Sequence, residues 1–360
     1  YRSWRTKKVL VESMEQTCAG RTAVVIPAYK PDDRLPPYVQ ALKDAGIGRI
    51  VVVDDGSGQD YQRFFDQIPR DGVSHVISYR PNCGKGVALK RGMAWLMDNS
   101  PDQDIIVTAD SDGQHTVEDV LRMAQDLARD PSGLLLGSRD FSQEHVPPKS
   151  RMGNRITSVV FKLLYGCWVG DTQTGLRGFH RDLPAMIAVP GDRYEYEMNV
   201  LIECAAMKVP MRPLPIETVY ENNNEGSHFR AFRDSARIYR VIFSGFFRFV
   251  GTSMVSFLVD YGLYLLFNNL IKYFGTSLDQ EVGVLFIRVV PHILIATVAA
   301  RLLSGVTNFF LNRSFVFTDK GKVSQAFLRY LGVFFLVMLL SALLTSSLHL
   351  WLGWSDNTAK

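Results

Sequence analysis

The stretch Asp110-Ser111-Asp112-Gly113-Gln114-His115 follows closely on the apolar run at 105–108. Two carboxylates one residue apart at a strand exit can turn toward the same ion, and Gln114 can add a neutral oxygen. Such hard oxygen ligands suit Mg²⁺ or Mn²⁺, which fill their remaining positions with water and substrate phosphates. His115 reads as a solvated loop histidine. Acidic loop residues are common, so the weight of the pattern lies in its place after a buried strand.

Three further groups have types and positions that suit phosphate and nucleotide chemistry. Asp54 and Asp55 stand at another strand exit ahead of a glycine turn, where one of them can accept hydrogen bonds from a base or a ribose. Asn82-Cys83-Gly84-Lys85-Gly86 opens a helix: its glycines permit close backbone approach, and Lys85 or the helix N-terminus can meet a phosphate. It is neither a P-loop nor a dinucleotide fingerprint, because GxxxxGK[ST] and a post-strand GxGxxG are both missing. Arg139, in Gly137-Ser138-Arg139, and Arg151 suit a phosphate oxygen fork, which guanidinium binds in bidentate fashion.

These residues need a scaffold, and the first half of the chain supplies its pattern. Short apolar runs at 23–27, 50–55, 73–79, 104–110 and 134–139 alternate with helical patterns, notably 85–98 and 116–130. Strand and helix in alternation imply an α/β domain with a mostly parallel sheet and helices on both faces. Ligands of such sheets sit at the carboxyl ends of the strands. At 150–166, Ile156, Val159, Val160, Leu163 and Leu164 share one helical face, for packing on the core or lying in a bilayer surface. At 229–247, aromatic and arginine stripes run side by side, the mark of an interfacial amphipathic helix with arginines near lipid phosphates.

Beyond Phe246 the apolar runs lengthen enough to cross a bilayer. Three segments are expected, at about 249–271, 284–311 and 330–352, and Asp260, Arg288, His292 and Arg301 fall within the first two. Ionisable groups at membrane depth are costly and are expected to pair or to face a polar crevice. Arg230, Arg233, Arg237, Arg240 and Arg248 precede the first segment, whereas Asp279 and Glu281 follow it, which puts the N-terminal part in the cytoplasm. Arg248-Phe249-Val250-Gly251 is echoed by Arg329-Tyr330-Leu331-Gly332, so each repeat is a helix pair and a fourth membrane helix is expected beyond Lys360. The net charge of +4 is too small to argue for nucleic acid. The four cysteines, without CxxC spacing, read as reduced structural thiols.

In that order and spacing, IPAYKP, VVDDGS, NCGKGVALKRG, DSDGQH, GSR and DTQTGLRGF resemble family 2 glycosyltransferases of the polyprenyl-phosphate type, from about Thr22 to Arg240. The remainder, with RFVG, NFFLNRSFVF and RYLG, resembles the GtrA-like membrane domain fused to such enzymes. The resemblance implies a GT-A fold, with 1–21 an extension, 22–228 the cytoplasmic transferase domain, 229–247 a basic juxtamembrane helix and 248–360 the membrane domain. It places Pro27, Ala28 and Tyr29 against the base and Asp54 or Asp55 on base or ribose. Asp110, Asp112 and Gln114 would hold Mg²⁺ or Mn²⁺ and the diphosphate, and Arg139 and Arg151 the acceptor phosphate.

The implied reaction is inverting transfer of one sugar from a nucleotide-sugar, a UDP-hexose before GDP-mannose, to undecaprenyl or dolichyl phosphate. The partners are then donor, lipid acceptor and membrane; a homo-oligomer is compatible with the sequence. The rival readings are a processive polysaccharide synthase, which normally carries QxxRW, and a non-catalytic flippase of lipid-linked sugars.

Overall fold

The structure is a computed structural model that describes residues 18–143, 146–183, 186, 189–217, 231–274, 282–284, 287–289, 291–317, 327–328, 330–332 and 334–337. The chain divides into two compact units between Ile242 and Phe243.

In the first unit, β1 (Thr22–Ala28), β2 (Arg49–Asp55), β3 (Ser74–Tyr79), β4 (Ile105–Thr108), β5 (Leu134–Ser138), β6 (Arg177–His180) and β7 (Met211–Pro215) form one sheet in the order β3-β2-β1-β4-β6-β5-β7. All neighbouring pairs are parallel except those made by β6, which runs antiparallel between β4 and β5. Both faces of the sheet are covered, which is why β1 and β2 read as unbroken apolar runs. On one face, Val25 and Val53 meet Ala88, Met93 and Leu96 of α3 (Lys85–Asn99). On the other, Ile26 and Val52 meet Leu35 and Val39 of α1 (Leu35–Asp44) and Met123 and Leu127 of α4 (Val117–Arg129). A short α2 (Gln62–Asp66) precedes β3. Alternation along each strand therefore assigns its side chains to two separate cores.

Local chemistry sets where these helices begin. Thr116 accepts from the Asp119 amide at 3.1 Å and donates to the Asp119 carboxylate at 2.9 Å, so α4 starts on a reciprocal cap. Further along, α5 (Pro148–Tyr165) opens on proline and closes at Gly166 in the left-handed region (φ 78°). It is followed by α6 (Glu195–Ala206) and α7 (Ala231–Ile242). The basic helix expected over 229–247 ends at Ile242, and its Ile238 and Ile242 are buried in the transferase core.

The second unit contains α8 (Ser244–Phe274), a two-stranded hairpin of β8 (Val282–Val284) and β9 (Ile287–Val289), α9 (Pro291–Leu311) and a π-helical turn at Asn312–Phe317. Among the described residues, α8 is long and apolar enough to span a membrane. The segment expected as one helix over 284–311 starts only at Pro291, whose missing N–H is harmless at a first helical position. Arg288 accordingly sits in β9. Asp260 and Arg301 do pair, at 3.4 Å, and Ser304 donates to Asp260 at 3.0 Å. One and two turns back along α8, Ser256 and Thr252 bond Asn308 and Asn312, so a polar seam joins α8 to α9. Of the third segment, 330–332 and 334–337 are helical; the rest, and residues 1–17 of the N-terminal extension, lie outside the described residues.

Candidate active site

A cleft of about 600 Å³ opens at the carboxyl ends of β1, β2 and β4. Pro27, Ala28, Tyr29, Asp55, Lys85, Asp110 and Asp112 line it. These seven residues, all singled out in the sequence, therefore come together there. Asp54, Gln114, Arg139 and Arg151 stand outside its lining.

The two β2 aspartates separate by role. Asp55 accepts from the Cys83 and Gly84 amides and from Asn82 Nδ2, each at 2.8 Å, so its carboxylate shapes the glycine loop ahead of α3. Asp54 instead accepts from the Ser57 amide at 2.8 Å and closes its own turn. Gly84 has φ 108°, and a Cβ there would run into Asp192 and Arg193. The loop thus needs glycine for conformation and for contact with the segment that brings Arg193 and Tyr194 into the cleft.

Lys85 is the electrostatic centre. Its Nζ lies 2.7 Å from Asp110 Oδ1 and 3.0 Å from Glu197 Oε1, a buried carboxylate on α6. Burial works against the Lys85 charge, but the two carboxylates outweigh it and push its pKa up. Burial likewise opposes ionisation of Asp110, yet the Lys85 charge holds its carboxyl below the ordinary range. Asp112 goes the other way, raised by burial and by the neighbouring Asp110 charge. Asp112 also accepts from the Gln114 amide at 3.1 Å, closing the loop.

His115 is not solvated as its loop position suggested. It is buried, and its Nδ1 accepts from the Asp110 amide at 3.0 Å, a bond that requires the neutral ring. Burial lowers its pKa against the pull of both aspartates. The histidine therefore shapes the acidic loop from behind.

Arg139 forms a fork on Asp171, with Nε to Oδ2 at 2.7 Å and Nη2 to Oδ1 at 3.1 Å. Asp171 belongs to DTQTGLRGF, and its side chain is fully buried. Arg151 is exposed and donates to the Gln143 carbonyl at 2.8 Å, at the start of α5. The same motif supports the acidic loop: Thr108 donates to the Gly175 carbonyl at 2.8 Å, and Gly175 lies against the Asp110 carboxylate.

Several cleft residues carried no signal for this site in the sequence. Arg193 and Tyr194 lie in no recognisable motif. Arg233 and Arg237 were legible as a basic stripe, but the stripe reads toward lipid, whereas both residues line the cleft beside the buried Asp234. Among the described residues, no three His, Cys, Asp or Glu side chains converge as a metal site.

A seven-stranded, mostly parallel sheet with an acidic pair beyond its central strand, and cationic side chains around the same cleft, defines a sugar transferase of the GT-A class. The chain belongs to glycosyl transferase family 2, whose profile matches residues 23–184, and residues 248–360 match the GtrA/DPMS transmembrane domain. It is an enzyme of that family and a membrane protein. An uncharacterised protein of Methanocaldococcus jannaschii is 30% identical over 202 residues, 55% of this chain and 81% of that one. The UDP-N-acetylglucosamine–dolichyl-phosphate N-acetylglucosaminyltransferase of Methanococcus voltae is 26% identical over 55% of this chain and 85% of its own length. Among solved structures, glucosyl-3-phosphoglycerate synthase of Mycobacterium tuberculosis, crystallised with Mn²⁺, UDP-glucose and phosphoglyceric acid, shares the fold. It aligns with TM-score 0.50 and 20% identity over 65% of this chain and 82% of that one.

Proposed function

We propose that this protein transfers one sugar from a nucleoside-diphosphate sugar, a UDP-hexose in preference to GDP-mannose, to a polyprenyl phosphate at the cytoplasmic face of a membrane. The observation that carries this reading is the convergence of Asp110, Asp112, Lys85, Arg233 and Arg237 on one cleft in a chain that also bears a membrane domain. Carboxylates and cations side by side suit a metal-bound diphosphate. The dolichyl-phosphate acceptor and UDP donor of the Methanococcus voltae relative support the lipid and the nucleotide.

The residues fit a divalent cation. Asp112, destabilised as an anion by burial and by Asp110, is the kind of carboxylate that a cation relieves. Asp110 and Asp112 would hold Mg²⁺ or Mn²⁺, with donor phosphates as further ligands, whereas Gln114 stands outside the cleft lining and its amide closes the Asp112 turn. When bound, the ion neutralises charge on the departing nucleoside diphosphate.

The rest of the chemistry falls to the chain. A phosphate monoester has a second pKa near about 6 and is largely a dianion at neutral pH, so its oxygen attacks without a protein base. Arg139, held rigid by Asp171, and Arg151 orient that phosphate in line with the leaving group. Tyr29 and the strand-end residues Pro27 and Ala28 receive the base, and Asp55 fixes the loop that carries Lys85. One displacement inverts the anomeric centre. A panel of UDP- and GDP-sugars with and without Mn²⁺ tests the donor half by thermal stabilisation. NMR of the lipid product tests inversion, and a retained anomeric configuration contradicts the single displacement.

A further inference from the structure

One carboxylate of the cleft serves neither the metal nor the glycine loop. Asp234, in the first turn of α7, lines the cleft and is 5% exposed. The other acidic residues of the lining have their own tasks: Asp32 holds Arg34 at 2.6 Å, Asp55 holds the glycine loop, and Asp110 and Asp112 form the acidic pair. Asp234 sits among cations, next to Arg233 in the chain and with Arg237 Nη1 3.7 Å from its Oδ1. A carboxylate facing a diphosphate repels it, so Asp234 suits a different part of the donor.

The sheet order tells which part. β2 and β1 end at the flank proposed for the base, and β4 leads to Asp110 and Asp112 at the place of metal and diphosphate. β6 comes next, and its Arg177 donates to the Glu197 carbonyl at 2.7 Å, which fixes α6 on the far side of β4 from the base. Tyr194, just ahead of α6, has its ring centre 5.9 Å from Lys85 Nζ, and α7 packs along α6. The base flank, the diphosphate position and the wall of Tyr194 and Asp234 therefore follow one another, which is the order of base, diphosphate and sugar in a nucleotide-sugar.

We propose that Tyr194 and Asp234 form the sugar subsite, in which the Asp234 carboxylate accepts from two adjacent hydroxyls of the donor hexose and the Tyr194 ring walls the sugar. A carboxylate is an acceptor-only group with two oxygens, the complement of the paired O–H donors of a vicinal diol. Those donors also compensate a buried charge, since hydrogen bonds to an ionised acceptor are the stronger kind. An aromatic wall with a few placed polar groups is how a small-ligand pocket fixes orientation. Both residues lie outside the 23–184 match to the transferase family, so sugar choice rests on residues beyond that shared segment. The assignment rests on the proposed nucleotide-sugar donor and narrows it to a hexose with a free vicinal diol.

The test is isothermal titration calorimetry of the full chain in nanodiscs with Mn²⁺, using UDP, UDP-glucose, UDP-galactose, UDP-N-acetylglucosamine, GDP and GDP-mannose. The readout is the ratio of dissociation constants between each nucleoside diphosphate and its sugar, then between the tightest-bound sugar and its monodeoxy analogues. The expected result for Asp234→Asn is nucleoside-diphosphate affinity within about twofold of wild type and a ratio shifted about tenfold against the sugar, the loss of one charge-assisted bond. Deleting either hydroxyl of one vicinal pair should weaken binding about tenfold in the wild type and hardly at all in the variant, because hydroxyl and carboxylate are one interaction. An unchanged ratio overturns the proposal. So does loss of nucleoside-diphosphate binding along with the sugar, since Asp234 then serves to hold the cleft arginines. Titration needs neither acceptor nor turnover. Wild-type protein that binds no nucleotide refutes the functional reading and the subsite with it, whereas nucleotide-sugar binding that ignores the substitution refutes the subsite alone.

Discussion

Gly175 tests whether the position of Asp110 governs catalysis. A Cβ built on Gly175 lies 2.7 Å from both Cγ and Oδ1 of Asp110 and closer still to Oδ2. Ordinary contact between such atoms begins near about 3.5 Å, so in Gly175→Ala the carboxylate retreats by at least about 0.8 Å. Gly175 itself has little room to yield, because its carbonyl accepts from Thr108 in the middle of the sheet. A displacement of about 1 Å in a reacting constellation costs roughly 100-fold in rate, or about 2.7 kcal/mol of transition-state stabilisation. The same movement disturbs the 2.7 Å contact with Lys85. The assay is kcat/KM for sugar transfer against Mn²⁺ concentration, with thermal melting as the control for folding. The expected outcome is a well-folded variant with kcat/KM down about 100-fold, needing more metal for half-maximal rate. Wild-type kcat/KM with an unchanged metal requirement refutes the reasoning.

Other outcomes follow from the same geometry. Lys85→Met strands two carboxylates, and breaking a buried pair costs roughly 3–5 kcal/mol; the melting temperature should fall sharply and recover in good part in Lys85→Met/Glu197→Gln. Arg237→Ala removes a cleft cation and should raise KM for the donor about tenfold, one charge-assisted contact, with KM for the lipid acceptor unchanged. Burial pushes the Cys204 thiol up to about 11. Because the thiolate is the reactive form, iodoacetamide at pH 8 should spare Cys204 in the native protein and modify it after denaturation.

The elements that declare themselves locally were legible in the sequence. β1, β2, β4 and β5 are apolar because both faces are covered, and α4 carries its cap in its own residues. β6 was not legible: it has four residues, begins with the buried Arg177, and owes its place to pairing with β4 and β5. β7 was hidden by Pro213 and Pro215, which a sheet tolerates at the edge position β7 occupies. Continuous hydrophobicity over 284–311 masked the start of α9 at Pro291. In the site, motif spacing brought out the acidic loop and the glycine loop, whose contacts are short-range. Tertiary contact decided the rest. A helical wheel shows that Arg233 and Arg237 share a stripe, but only packing of Ile238 and Ile242 turns that stripe into the cleft. Glu197 meets Lys85 across more than a hundred residues, and nothing in its neighbourhood announces the pairing.

The central claim is metal-dependent transfer of one sugar to a lipid phosphate, with Asp112 at the metal. Its most direct test incubates the purified full chain, in vesicles containing undecaprenyl or dolichyl phosphate, with radiolabelled UDP-hexose and Mn²⁺, and follows label into organic solvent. The account predicts a lipid product carrying a single sugar, lost with EDTA and with Asp112→Ala. A polymeric product, no lipid product from any UDP- or GDP-sugar, or an Asp112→Ala variant that keeps full metal-dependent transfer would contradict it.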